Sequence, residues 1–142
     1  MSLTLVPTAT ADPVTQGDVA ATAIAATRAT TFLRAQSQWL QRGLAHGDDA
    51  VAVGIVLSAH DRSHDRWVNL IDIVTRTLGA DAALQVATLY TYIGKVAGSL
   101  ERDSLGLLSA EVAASARQLL AQRLTDLTEV AVEALWCGAA EV

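Results

Sequence analysis

The sequence predicts an all-α protein: an antiparallel bundle of four long helices behind a flexible N-terminal arm. Three observations carry that expectation. Both prolines, Pro7 and Pro13, fall near the start, so residues 14–142 lack the residue that most strongly interrupts helices. The same stretch is rich in Ala, Leu, Gln and Arg, all strong helix formers. Apolar residues recur at helical spacing between short clusters of Gly, Asp and Ser, which stop and cap helices. With 142 residues the chain is long enough for one hydrophobic core, and at 4% aromatic content that core must be mostly aliphatic.

Residues 1–17 hold both prolines and no sustained helical period, and read as the arm; residues 18–142 then form a single helical-bundle domain. Asp18 is a suitable N-cap for a first helix over Val19–Ala45. Gly43 and Gly47 in "GLAHGDD" supply its stop signal, and Ile24, Phe32, Leu33, Trp39, Leu40 and Leu44 fall mostly on one broad side. Asp48 or Asp49 caps a second helix to Leu78, ended by Gly79. Asp81 caps a third, to about Leu100. "ERDSLGLLSAE" is the next break, with Ser109 as N-cap. The fourth helix, Ala110–Cys137, carries Val112, Leu119, Leu120, Leu124, Leu127, Val130 and Leu135 at helical spacing, and Gly138 ends it.

Composition excludes several function classes. The formal charge is −5 and the ten basic residues are scattered, so no basic stripe marks a nucleic-acid partner. The most apolar window of membrane length, Ala82–Leu100, carries Gln85 and Lys95 and reads as a buried helix, so no transmembrane segment is expected. The start lacks the basic n-region of a signal peptide, which makes a cytoplasmic protein the default. The abundance of Ala and Arg points to a bacterial source. Cys137, the single cysteine, has no flanking base or cation to activate it. No phosphate loop and no nucleophile signature appears, which leans away from an enzyme.

The candidate chemistry lies in "SAHDRSHDRWVN", where His-Asp-Arg occurs at positions 60–62 and again at 64–66. On a continuous helix His60 and His64 lie one turn apart, a spacing that binds a divalent metal when a third ligand joins. His46, Glu129 and Glu133 are the residues available to complete such a site. The competing expectation is a solvated band with i,i+3 pairs Arg62–Asp65 and Asp61–His64, or a helix that breaks here with Asp61 or Ser63 capping a new one. Surface is favoured over site, so the expected cofactor is none, with a divalent metal on His60 and His64 as the alternative.

A partner or oligomer interface is expected at Tyr90, Tyr92, Gly94, Gly98 and Trp136. "GKVAG" spaces Gly94 and Gly98 so that two helix backbones can approach closely, inside the bundle or between subunits. Close packing inside the bundle is the economical explanation for two glycines that each cost about 1 kcal/mol against Ala. Tyr90 and Tyr92 sit about 200° apart on a helix and cannot both face the core. Trp39, Trp67 and Trp136 are the large anchors, with Trp136 near a helix end the one expected to be partly exposed.

In "FLRAQSQWLQRGLAHGDDAVAVGIVL" and "AASARQLLAQRLTDLTEVAVEAL" the chain resembles the phasins, small helical bacterial proteins that coat polyhydroxyalkanoate granules. The resemblance covers about residues 19–137. It implies self-association and binding of an apolar granule surface through exposed helix faces. The functional expectation is therefore a non-catalytic, homo-oligomeric helical protein that binds a partner protein or apolar surface. The alternatives are a bundle with a metal or small-ligand site on His60/His64, and an adaptor or inhibitory protein with one specific partner.

Overall fold

The computed structural model of the chain describes residues 8–104 and 109–141. These form five helices and, among the described residues, no strand: α1 (Thr8–Ala45), α2 (Ala50–Arg62), α3 (His64–Leu78), α4 (Ala80–Ser104) and α5 (Ala110–Ala140). No helix of the described residues is long and apolar enough to cross a membrane. Residues 1–7 of the expected arm, and residues 105–108 of the expected break before α5, lie outside the described residues.

Two boundaries differ from expectation. α1 starts at Thr8 rather than Val19, so residues 8–17 are helical rather than part of an irregular arm. Proline's fixed φ suits a helix, and at the sixth position of α1 Pro13 forfeits one bond of the ladder, close to the helix start. The helix expected from residue 50 to 78 is divided at Ser63, the break held above as an alternative, which gives five helices instead of four. There the Ser63 N–H and hydroxyl both donate to the His60 carbonyl, at 3.0 and 2.7 Å. The 3.0 Å bond spans three residues and tightens the chain out of the α-helical register. Ser63 ends α2 by this contact; its hydroxyl makes no cap bond to α3.

Two of the four expected N-caps, Asp49 and Ser109, fall where the sequence places them, whereas position 18 lies inside α1 and Asp81 lies within the first turn of α4 rather than at its cap. The Asp49 carboxylate accepts from the Val51 and Ala52 N–H groups at 3.0 and 3.2 Å. The Ser109 hydroxyl accepts from Val112 N–H at 3.3 Å. Gly79 ends α3 at φ +97°, a conformation that L side chains rarely adopt, and α4 begins immediately, with Asp81 in its first turn.

The core runs through Leu33 and Leu40 of α1, Trp67 and Val74 of α3, Val86, Leu89, Ile93 and Leu100 of α4, and Leu124 and Leu135 of α5. Small residues take many of the remaining inward positions. Ala26, Ala29 and Ala131 are fully buried, whereas Ile24, Val112, Leu119 and Val130 of the expected apolar stripes are exposed. Alanine at the contact lets helix axes approach, and the face that packs is then set by the small residues. Two glycines expected as stop signals serve the same end. A Cβ at Gly43 would sit 3.0 Å from Leu100 Cδ1 and 3.1 Å from Val56 Cγ1. One at Gly138 would collide with the Leu78 carbonyl oxygen, and α5 continues past it to Ala140. α1 and α5 are tied by Trp136 Nε1 donating to Thr30 Oγ1 (3.1 Å), Arg34 to Glu129 (3.2 Å) and Gln41 Nε2 to Thr125 Oγ1 (3.0 Å).

Candidate functional site

The repeated His-Asp-Arg does not lie on one helix, yet both histidines reach the same ring. His60 lies in the last turn of α2 and His64 begins α3, and their rings lie 6.3 and 5.8 Å from that of Tyr90 on α4. The Tyr90 hydroxyl is hydrogen-bonded to His64 Nδ1. On its other side Tyr90 stacks on Trp67, centroids 4.8 Å apart at 22°, and Phe32 of α1 meets Trp67 edge-on at 5.0 Å. Arg66 completes the stack, its guanidinium carbon 4.9 Å from the Phe32 centroid. α1, α3 and α4 are thus held by one run of rings, with His60 of α2 at its end, each aromatic pair contributing about 0.5–1.5 kcal/mol beyond its buried area.

The electrostatics follow from that burial. His60 is half-buried and its pKa is lowered below 6.5, chiefly by desolvation, with Asp61 opposing and His64 adding. Among the described residues its Nδ1 has no hydrogen-bond partner, and the fully buried Trp67 indole N–H also lacks one. Burial raises the Tyr90 pKa above 10.0, and Asp65 raises it further. Burial in the site therefore favours the neutral forms of His60 and Tyr90.

The residues named to complete a metal site do not converge here. Glu129 is paired with Arg34, His46 is exposed beyond the end of α1, and α2 makes no contact with α5 among the described residues. No three His, Cys, Asp or Glu side chains gather among the described residues. Nor do the expected i,i+3 pairs form, because the break at Ser63 removes their register. Arg62 instead donates to Ser58 Oγ at 2.8 Å, and Arg66 covers Phe32. Asp61, Arg62, Asp65 and Arg66 are exposed, so the stretch is a polar rim around a half-buried aromatic contact.

The expected interface residues divide into two groups. Tyr90 and Tyr92 point to different neighbours, as their angular separation requires, and both hydroxyls bond within the chain, Tyr92 to the Leu120 carbonyl at 3.3 Å. Gly94 and Gly98 do not provide the close packing expected inside the bundle. A Cβ at Gly94 would meet nothing within 4 Å, and one at Gly98 only Arg102 Nη1 at 3.6 Å. Trp136 is 43% exposed, as its place near the helix end implies. Cys137 beside it is exposed.

The outer face of α2 lies apart from all the expected site residues. Val51, Gly54, Ile55 and Ser58 share one helix face and are all exposed, while Val53 and Val56 carry the buried side. Val51 is 74% and Ile55 55% exposed. The signal was present in "AVAVGIVL", which has no polar face to turn outward, so a surface helix with this sequence must leave apolar side chains in water. The chain matches no protein-family model, no curated protein and no solved structure.

Proposed function

We propose that the protein is a non-catalytic helical module that self-associates and binds an apolar surface or partner protein through faces its own bundle leaves uncovered. The observation that carries this reading is the outer face of α2, where Val51 and Ile55 stand 74% and 55% exposed at i,i+4 spacing. Burying such side chains is worth about 1.5–3 kcal/mol each, and the folded chain forgoes it. Open backbone at Gly94 on α4 supports close approach by a second helix from outside. The order of the α1–α5 contacts, with partners on α5 falling from 136 to 125 as α1 runs from 30 to 41, supports an antiparallel bundle as the scaffold. The phasin-like texture extends the proposal to the coating of polyester granules.

The test is sedimentation velocity and adsorption to alkane droplets, comparing the natural chain with V51E/I55K. That variant replaces the apolar pair by an i,i+4 Glu–Lys pair that favours helix. The natural chain is expected to sediment as an oligomer and coat the droplets, and the variant to remain monomeric and leave them bare. A natural chain that is monomeric and leaves the droplets bare would overturn the reading.

A further inference from the structure

We infer that a groove between α4 and α5 binds an unbranched alkyl carboxylate as a free molecule, with Arg102 and Arg123 taking the carboxylate and Leu119 and Leu120 the chain. The groove has a volume of about 540 Å³, within the range of roughly 300–1,000 Å³ typical of small-molecule sites. Tyr92, Ser99 and Arg102 line it from α4, and Leu119, Leu120 and Arg123 from α5.

Two features of this groove are unexplained by folding. Leu119 is 74% exposed although it belongs to a long, well-packed helix. In a chain of net charge −5, neither arginine of the groove forms an ion pair among the described residues. Arg102 makes its hydrogen bond to Ser99 Oγ at 2.9 Å. Arg123 acts on Tyr92, whose pKa is raised by burial and lowered in part by that guanidinium. Asp126, one turn beyond Arg123, accepts instead from Gln122 Nε2 at 3.0 Å. Guanidiniums without an ion pair among the described residues, beside the exposed Leu119 and the half-buried Leu120, complement an anion that carries an apolar tail.

The arginines select the head. Ser99 Oγ accepts from Arg102, and the Tyr92 hydroxyl donates to the Leu120 carbonyl. Arginine forks match the two oxygens of a carboxylate, and the proton that Ser99 keeps is a further donor to that head. This inference stands apart from self-association, since it needs only one chain and none of the outer face of α2.

Calorimetric titration of the full chain with decanoate, below its micelle concentration, tests it. Saturable binding of one decanoate per chain is expected, weakened about tenfold by R102A or R123A, each about 1.4 kcal/mol. L119D is expected to abolish binding, decan-1-ol to bind at least tenfold more weakly, and R28A on α1 to bind as the natural chain does. All these positions are exposed, so circular dichroism should report unchanged helix content. Decanoate binding that survives R102A/R123A, or equal binding of decan-1-ol, would overturn the assignment. So would failure to bind decanoate by a chain that adsorbs to phosphatidylglycerol vesicles, which would make the groove part of a lipid-surface contact.

Discussion

At the scale of single residues, the glycines divide by what a methyl group would meet. Gly94 is helical, exposed and open, so Gly94→Ala should raise the stability of the monomer by about 0.5–1 kcal/mol through the unfolded chain. If that face is an interface, the same change should weaken self-association; a chemical melt and a sedimentation run on one sample separate the two effects. Gly138→Ala should cost about 1–3 kcal/mol, because its Cβ has only the Leu78 backbone to displace. His60 supplies a second residue-scale effect. Its folded pKa lies below 6.5, so the unfolded chain takes up the proton first and stability rises with pH across that interval. The contribution is complete above about pH 6.5 and is lost as pH falls toward the lowered value. Tyr90 and Tyr92 act at the other end: their pKa values are raised, so their contribution is complete below pH 10.0 and lost above it. Thermal melts at pH 8 and pH 5 should show a smaller acid loss in His60→Leu than in the natural chain; equal losses would remove His60 from the account.

At the scale of elements, α2 is expected to be the first helix to open. It is a 13-residue helix, marginal on its own in water, packed on α1, α3 and α4 but, among the described residues, not on α5. Asp49 holds its first turn through two backbone N–H groups, so Asp49→Ala should cost about 1 kcal/mol. Hydrogen exchange should show amides of α2 opening before those of α4 and α5, and Asp49→Ala widening that gap. The caps of α2 and α5 were legible because Asp and Ser act locally, through N–H groups two or three residues away. The break at Ser63 was harder to read, since it depends on a bond back to the His60 carbonyl and on Trp67 finding Tyr90 and Phe32 in other helices. The face by which α1 and α5 pack was legible only in part from large apolar residues: Leu33, Leu40, Leu124 and Leu135 of the expected stripes are buried, but the stripes also took in exposed residues. Ala26, Ala29 and Ala131 are buried while Ile24 and Val130 are not, and only the neighbouring helices determine that. The histidines were legible as a pair one turn apart, but their shared contact is Tyr90, a residue on α4 that no local spacing could bring to them.

At the scale of the whole molecule, the consequence is a chain that places small residues inside and leaves part of its apolar surface outside. Ala and Gly at helix contacts bring the axes together but bury little area per residue, so the monomer draws less hydrophobic stabilisation than its 51% apolar composition implies. The exposed apolar residues on α2 are available to a second copy. Association that occurs only in the folded state stabilises that state by mass action. The melting temperature of the natural chain should therefore rise with protein concentration over a hundredfold dilution series, while that of V51E/I55K stays flat. At the lowest concentration the two should converge, because both positions are exposed and surface changes usually shift stability by no more than about 0.5 kcal/mol. A melting temperature of the natural chain that does not move with concentration would mean that the uncovered face of α2 is not closed by a second copy of the chain.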